Sequence, residues 1–312
     1  MMRTIRAGLG CALLVTLASF LGGCTQKEPT AFRIGVIPYE DTQQEKTEFA
    51  PFGDYIGRKV AGAPATVTIA MDYVGVITAL ENGQIDAAYL NPLSYAIASD
   101  RAQKAGHPLT PIAMPYVIKK GATKGELTYQ GVIFVRADSK IHTLQDLKGK
   151  TFAFNESTST SGYLYPAALL LKAGINPKPQ SSGGDLKDAK FAGAQGVVPS
   201  VFNGQSDAGA IFEEGISLAY PDPAKQRQLR VLAKTDPIPQ GMIVARSDLP
   251  ADELGKLKAA FVSINTDPDG LKAMASQRVE KWVPAKDELF DPIRKAASVL
   301  DLHLKIPERK AG

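Results

Sequence analysis

Residues 82–87 read Asn-Gly-Gln-Ile-Asp-Ala, and residues 203–208, which lie 121 positions later, read Asn-Gly-Gln-Ser-Asp-Ala. Gly-Val-Ile at 75–77 and Gly-Val-Val at 196–198 each begin seven residues before their copy of this phrase. Each copy is typical of a helix that ends at an Asn-Gly cap, where glycine supplies a left-handed turn, and is followed by a buried strand. The repetition predicts two structurally similar halves.

Segments typical of strands and helices alternate around the first copy. Residues 32–37 and 66–70 are rich in β-formers, and residues 45–60 place apolar side chains at helical spacing. Strands that alternate with helices of this length predict βαβ units around largely parallel sheets. We therefore expect an α/β fold with two lobes.

The lobe boundaries follow from two segments that are expected to form the hinge, one at residues 129–136 and one at residues 234–241, where Pro237 and Pro239 stiffen the crossing. We expect the first lobe to contain residues 32–132 together with 238–306, and the second lobe to contain residues 133–237. Two lobes joined by two crossovers leave a cleft between them, where small ligands usually bind and around which such lobes close by hinge motion.

The N-terminus has the pattern of a targeting segment. Residues 1–23 combine a basic start with a short apolar run, too short to cross a membrane comfortably, and the run ends in Leu-Gly-Gly-Cys at 21–24. Leu-Gly-Gly-Cys resembles the bacterial lipobox, so we expect Cys24 to carry a lipid and residues 24–31 to form a polar tether. The alternative is an ordinary signal peptide that happens to contain a cysteine.

Composition excludes several classes of function. Residues 1–23 contain two arginines and no acid, so the rest of the chain has 34 basic and 32 acidic residues, a net charge of +2. Such a neutral surface does not predict nucleic-acid binding. Only Cys11 and Cys24 are cysteines, so the body after Cys24 has no thiol for a disulfide or a metal. We expect it to contact the membrane through the lipid anchor only.

No catalytic motif is present in the sequence. Gly-x-Ser-x-Gly, Ser-x-x-Lys and Gly-x-Gly-x-x-Gly are all absent. His107, His142 and His303 lie far apart and show no spacing typical of metal ligands. The sequence therefore predicts a protein that is not an enzyme and that has no catalytic residue, metal site or cofactor.

Residues 155–162 read Asn-Glu-Ser-Thr-Ser-Thr-Ser-Gly, between a predicted strand at 151–154 and a predicted helix at 163–172. Hydroxyl groups beside the free N–H groups of a helix N-terminus can bind an oxyanion without any cationic side chain. In the ligand-free protein we expect these hydroxyls to face an open cleft. The alternative is a Ser/Thr loop with an ordinary helix cap.

Two tyrosines and a pair of adjacent glutamates are further candidates for the same site. Tyr73 opens the helix after the second strand, and Tyr129 lies at the first crossover. Glu213 and Glu214 follow the strand that contains residues 208–212, and ligands of α/β proteins bind at such strand ends. Each position alone is equally compatible with a core tyrosine or a solvated helix start.

Together these features resemble one family, the phosphate/phosphite/phosphonate-binding proteins of ABC transporters. The resemblance extends from about Phe32 to Asp291. It is carried by the lipobox, Asp72-Tyr73, residues 82–86, the phrase Thr-Leu-Gln-Asp-Leu-Lys-Gly-Lys at 143–150 and the phrase Ser-Thr-Ser-Gly-Tyr-Leu-Tyr-Pro at 159–166.

The resemblance implies a two-lobed periplasmic binding protein of the type II-like class, with mixed sheets and a hinge of two crossover segments. It also implies a monomer, in the periplasm or at the cell surface, that hands a phosphonate, phosphite or phosphate to an ABC permease. The ligand oxygens are expected at Ser159, Thr160 and Ser161, with Tyr73 and Tyr129 beside them. Glu214 matches an acid that holds the amine of aminoalkylphosphonates.

The sequence departs from the family pattern at two places. A histidine expected after Ala192-Gly193 is missing, which leaves Gln195 as a possible substitute, and a second amine-binding acid is replaced by Gly241. We therefore expect simple oxyanions to be preferred over aminated ones. Two alternatives stay open: a sensor subunit that presents ligand to a membrane kinase, and a receptor for a sulfonate, sulfate or small organic acid.

Overall fold

The computed structural model describes residues 31–39 and 42–300. The signal peptide, Cys24 and almost all of the predicted tether lie outside the described residues, as do residues 301–306 of the predicted first lobe.

The described chain alternates strands and helices. The strands are β1 Arg33–Val36, β2 Thr66–Ile69, β3 Ala87–Leu90, β4 Thr110–Ile118, β5 Gly125–Glu126, β6 Thr128–Tyr129, β7 Gly131–Arg136, β8 Thr151–Phe154, β9 Asp188–Phe191, β10 Ala208–Phe212, β11 Leu229–Lys234, β12 Ile238–Pro239, β13 Met242–Ala245 and β14 Val279–Pro284. The helices are α1 Thr42–Ala61, α2 Tyr73–Glu81, α3 Pro92–Lys104, α4 Tyr165–Lys172, α5 Val197–Phe202, α6 Gly215–Ala219, α7 Pro223–Gln226, α8 Ala251–Ser263, α9 Pro268–Ser276 and α10 Asp291–Val299.

The strands form two main sheets, one in each lobe. The first has the order β14-β4-β13-β3-β1-β2, with β5 paired to β4, and the second has the order β11-β7-β10-β8-β9. Both are mixed: β1 pairs in parallel with β2 and β3, β8 pairs in parallel with β9 and β10, and β7 and β13 run antiparallel to their neighbours. The predicted α/β fold with two lobes and mixed sheets is confirmed.

Both copies of the repeated phrase have the same structure. The Asp86 carboxylate accepts the N–H of Arg33 at 2.8 Å, and the Asp207 carboxylate accepts the N–H of Thr151 at 2.8 Å. In each case the aspartate anchors the start of the parallel strand beside its own. Gly83 and Gly204 have φ of 64° and 72°, the left-handed conformation expected of a cap glycine. The predicted duplication is therefore present in the backbone.

Two short strands, β6 and β12, belong to neither main sheet and pair with each other. In this ladder β6 runs antiparallel to β12, with Tyr129 opposite Ile238 and Thr128 opposite Pro239. Proline is tolerated here because a two-stranded ladder leaves each strand with one unpaired edge. Strands β1–β5, β13 and β14 belong to the first sheet and β7–β11 to the second, so the chain passes between sheets at this ladder.

Apolar side chains cover both faces of each main sheet. In the first lobe one face packs against α1, α8 and α9, where Phe52 stacks on Trp282 at 5.8 Å, and the other face packs against α2, α3 and α10. In the second lobe, α4 and α5 lie on opposite faces. Among the described helices, none is long and apolar enough to cross a membrane.

Candidate functional site: the cleft between the lobes

A cleft between the two sheets contains about 1080 Å³ of empty space, including solvent at its mouth. The cleft brings together six of the seven residues that the sequence singled out: Tyr73, Tyr129, Ser159, Thr160, Ser161 and Glu214.

Gln195 is the exception. It is exposed and does not line the cleft, so the structure does not bring it to the other six residues. Gly193 donates its N–H to the carbonyl of Asn155, and a tight turn from Gly193 to Gly196 then leads to α5. This turn holds Gln195 on the outer surface.

The hydroxyl turn, residues 159–161, follows the strand β8, which ends at Phe154. Ser159 caps the next segment by accepting the N–H of Gly162 at 3.1 Å. Residues Thr160–Leu164 form a wide π-helical turn ahead of α4. A Cβ at Gly162 would lie 2.3 Å from the Cβ of Asn155, so this packing requires glycine. The sequence predicted a capped helix start here, but nothing in it indicated the wider turn.

The hydroxyl of Thr160 joins the two lobes. It donates to the Asn91 side-chain oxygen at 2.8 Å and accepts the N–H of Leu93 at 2.8 Å. Asn91 also caps α3 in the first lobe by accepting the N–H groups of Leu93 and Ser94. The expectation that all hydroxyls of the turn face an open cleft is therefore wrong for Thr160, because the helix start of the facing lobe already satisfies it.

Three tyrosines surround the hydroxyl turn and present neutral O–H groups. Burial raises the pKa of Tyr73, Tyr89 and Tyr129, in the last case to about 12. The hydroxyl of Tyr129 is in hydrogen-bonding contact with Ser161 and Thr160. A tyrosine is protonated at neutral pH even at its ordinary pKa of about 10, and the raised pKa values favour the neutral hydroxyl further, so these groups can donate to an anion.

Tyr89 was missed by sequence analysis. It lies on β3, whose short apolar sequence predicts only a buried strand. Its hydroxyl accepts the N–H of Gly241. A Cβ at Gly241 would lie 2.5 Å from the carbonyl oxygen of Leu90 and 2.9 Å from the Tyr89 hydroxyl. The Tyr89 ring and the β3 backbone therefore exclude any side chain from position 241.

The other end of the cleft carries two ion pairs between the lobes. Glu213 and Lys119 lie 2.9 Å apart, and Glu214 and Arg278 lie 3.1 Å apart. The acids follow β10 in the second lobe, whereas Lys119 follows β4 and Arg278 precedes β14 in the first. Sequence analysis identified Glu214 but neither cation, because each comes from a strand or helix end far away in the chain.

Glu156 is a further residue between the lobes that the sequence did not single out. Its carboxylate accepts the N–H of Tyr73, the first residue of α2, at 2.9 Å. Burial, with a smaller contribution from the charge of Asp72, raises the pKa of Glu156 to about 7 even though the hydrogen bond from the Tyr73 N–H lowers it. The carboxyl group therefore titrates near neutral pH.

Metal binding has no support in the part of the chain that the structure describes. Residues 31–39 and 42–300 contain no group of three or more His, Cys, Asp or Glu side chains placed to hold an ion. The cleft instead combines neutral hydroxyl donors at one end with balanced ion pairs at the other, which suits the binding of an anion.

A comparison with protein families gives a match over most of the chain. The family described as ABC transporter, phosphonate, periplasmic substrate-binding protein matches residues 34–290. The phosphate-import protein PhnD of Mycolicibacterium smegmatis is 30% identical over 241 residues, which cover 75% of this chain and 71% of that protein. The phosphonates-binding periplasmic protein of Escherichia coli K12 is 28% identical over 302 residues, which cover 94% and 84%.

Solved structures show the same architecture. The binding-protein component of an ABC phosphonate transporter from Pseudomonas aeruginosa superposes with a TM-score of 0.73 and 25% identity, and the match covers 88% of this chain and 89% of that one. PhnD1 of Prochlorococcus marinus, solved with methylphosphonate, shares the fold with a TM-score of 0.71 at 19% identity, over 88% and 99% of the two chains. These relatives are substrate-binding proteins and not enzymes, which confirms that prediction.

Proposed function

The chain belongs to the phosphonate family of periplasmic substrate-binding proteins of ABC transporters, and we propose that it captures a phosphonate- or phosphite-type oxyanion in its cleft and delivers it to an ABC permease. The observation that carries this proposal is the hydroxyl turn, whose three residues line the cleft beside Tyr73 and Tyr129.

Neutral donors suit a doubly charged oxyanion. Hydrogen bonds from O–H and N–H groups to an anion are charge-assisted, and in a poorly hydrated cleft each contributes about 1.5–3 kcal/mol. Ser159 is 2% exposed, Thr160 1% and Ser161 7%, so water competes little for them. A tetrahedral anion needs donors from several directions, and here the turn supplies one side while the tyrosines supply another.

Release to a permease requires that the lobes separate. The polar contacts between the lobes include those of Thr160 with Asn91, of Glu156 with Tyr73, and the two ion pairs of Glu213 and Glu214, and Leu164 adds apolar packing against the core of the first lobe. Hydrogen bonds and partly exposed ion pairs exchange for bonds to water at small net cost. The polar part of this interface can therefore separate at small cost, as a carrier that loads and unloads requires.

A panel of ligands tests the proposal. Thermal unfolding is followed with phosphate, phosphite, methylphosphonate, sulfate and methanesulfonate, because a ligand that binds only the native state adds about 2.7 kcal/mol at a hundredfold excess over Kd. We expect the phosphorus oxyanions to raise the unfolding temperature and the sulfur oxyanions to have little effect. A response to the sulfur oxyanions alone would contradict the proposed ligand class.

The proposed location is the periplasm or the cell surface, where a lipid on Cys24 tethers a monomer to the membrane. The support is the Leu-Gly-Gly-Cys sequence at 21–24. Labelling of cells with a radioactive fatty acid tests it, because Cys24→Ser should abolish the label while Cys11→Ser, inside the signal peptide, keeps it. Equal labelling of the Cys24→Ser variant and the wild-type chain would contradict lipidation at Cys24.

A further inference from the structure

The outer end of the cleft is defined by Lys119, Glu213, Glu214 and Arg278, whose formal charges cancel. Lys119 also pairs at 2.8 Å with Glu126, an exposed acid that does not line the cleft. Both acids meet a cation of the facing lobe, Glu213 with Lys119 at 2.9 Å and Glu214 with Arg278 at 3.1 Å. All four side chains line the cleft. Two lining cations therefore balance two lining anions.

The same two carboxylates also accept hydrogen bonds from backbone N–H groups. The Oε1 atom of Glu214 accepts the N–H of Lys120 at 2.7 Å as well as the guanidinium of Arg278. The Oε1 atom of Glu213 accepts the N–H of Gln130 at 3.2 Å as well as the ammonium of Lys119. Each of these Oε1 atoms therefore already accepts from a protein cation and from a backbone N–H, which weakens the attraction of the carboxylate for an ammonium group on a ligand.

Arg278 has an unusual backbone conformation, and its side chain contacts Glu214 across the cleft. Arg278 has φ of 55°, and among the described residues it is the only one besides glycines with positive φ. It follows the C-cap of α9, where glycine is the residue usually found. A residue with a side chain adopts this conformation at a cost, and the structure shows what the side chain contacts there, which is Glu214 across the cleft.

The space between the hydroxyl turn and the outer end is bordered by apolar side chains from both lobes. Tyr89 and the β3 backbone leave no room for another acid at position 241. The apolar residues that line the cleft include Phe49, Pro115, Val117, Phe212, Leu218 and Trp282, and the amides Gln240 and Gln277 line it as well.

We propose that the outer half of the cleft accepts an uncharged, apolar organic group on the oxyanion, so that the preferred ligands are alkyl- or arylphosphonates rather than aminoalkyl- or carboxyalkylphosphonates. This inference rests on the proposed function. A neutral apolar group leaves both ion pairs intact and is transferred from water to an apolar surface. A charged group of either sign has no unpaired opposite charge to meet, and burying it unpaired is costly.

Calorimetric titration with ligands of matched size tests the inference. n-Propylphosphonate and 2-aminoethylphosphonate have the same number of heavy atoms and differ in that an ammonium group replaces the terminal methyl group. We expect n-propylphosphonate to bind about tenfold more tightly than methylphosphonate, because two further carbons are buried. We expect it to bind at least about tenfold more tightly than 2-aminoethylphosphonate or phosphonoacetate, whose added groups are charged.

The Arg278→Gln variant tests the ion pairs separately. Loss of the guanidinium leaves the Glu214 carboxylate without its cation, so the preference for n-propyl- over 2-aminoethylphosphonate should shrink about tenfold or reverse. Arg136→Gln is the matched control, because Arg136 pairs with Asp138 at 2.6 Å and does not line the cleft. The control should keep the wild-type preference.

The outcomes separate this inference from the proposed function. If methylphosphonate does not bind, the proposed function and the inference both fail. If methylphosphonate binds but 2-aminoethylphosphonate binds as tightly as n-propylphosphonate, or if Arg278→Gln leaves their ratio unchanged, only the inference is overturned.

Discussion

The Glu156 carboxylate, which follows β8, accepts the backbone N–H of Tyr73 at 2.9 Å, so an acid of the second lobe caps the first residue of α2 in the first lobe. A carboxylate at a helix N-terminus is favoured by the helix dipole. Here it also lies close to Asp72, whose negative charge opposes ionisation of Glu156. Closure of the lobes therefore depends on a group that titrates near neutral pH.

The first prediction concerns this titration. Burial raises the pKa of Glu156 from its usual value of 4.5 to about 7, so between these values the closed native state holds a proton that the unfolded chain does not. The contribution of Glu156 to the free energy of unfolding is therefore largest below about pH 4.5 and decreases as the pH rises to about 7. Urea unfolding of wild type and Glu156→Gln between pH 5 and 7.5 measures it.

The variant should show a weaker decrease with pH over this interval, because its amide does not titrate. Glu288→Gln, at an exposed glutamate just before α10, serves as the control and should retain the wild-type slope. Equal slopes in the wild-type chain and in Glu156→Gln would show that the carboxyl group is not buried in the closed state.

The second prediction concerns the hydroxyl turn. Thr160→Val keeps the shape of the side chain but removes the hydroxyl that donates to Asn91 and accepts the N–H of Leu93, so closure of the lobes around methylphosphonate should weaken and the affinity should fall about tenfold. For the same reason the free energy of unfolding without ligand should fall by about 1 kcal/mol. Calorimetric titration and urea unfolding give the two quantities.

Ser157→Ala is the control for this variant. Ser157 is exposed and does not line the cleft, so both quantities should change little. If both variants cause equally small losses of affinity, the Ser/Thr segment is only a capped loop and the anion binds elsewhere.

The third prediction compares the two copies of the repeated phrase. Burial raises the pKa of Asp86, but hydrogen bonds from Arg33 and Arg246 outweigh it and hold the pKa below its usual value. Asp86→Ala leaves Arg33 without its carboxylate and Arg246 with Asp248 alone, and should lower the free energy of unfolding by about 2–3 kcal/mol. Asp207→Ala removes only bonds to Thr151 and should cost about 1 kcal/mol. Similar losses in urea unfolding would contradict this ranking.

The fourth prediction concerns movement of the lobes. Ligand that bonds to the hydroxyl turn and to tyrosines of the first lobe favours the closed arrangement. Small-angle scattering should therefore show a smaller radius of gyration with saturating methylphosphonate than without it. An unchanged radius in a sample whose binding is verified by calorimetry would mean that the free protein is already closed.

Sequence analysis predicted the fold well because the fold depends on local signals. The Asn-Gly caps and the aspartates after them occur in both lobes and make the same hydrogen bonds, so one phrase read twice indicated both sheets. The pairing of the antiparallel strands was harder to predict from the sequence. β13 and β14 return to the first sheet late in the chain, and their pairing with β4 depends on tertiary packing rather than on any short pattern.

The site was predictable in its local part only. The hydroxyl turn could be recognised because its donors are consecutive in the sequence. Tyr89, Lys119 and Arg278 reach the cleft from separate elements, and their contacts with Gly241, Glu213 and Glu214 exist only after both lobes have folded. Gln195 lies only two residues after Gly193, whose N–H bonds to Asn155 at the end of β8, yet its turn carries it to the outer surface.

The position of the bound oxyanion tests the central claim most directly, and a crystal structure with methylphosphonate measures it. The account predicts phosphonate oxygens within about 3 Å of the Ser159, Thr160 and Ser161 donors, with the methyl group directed toward Lys119 and Arg278. A phosphonate bound instead to the side chains of Lys119 and Arg278, with the hydroxyl turn unoccupied, would contradict it.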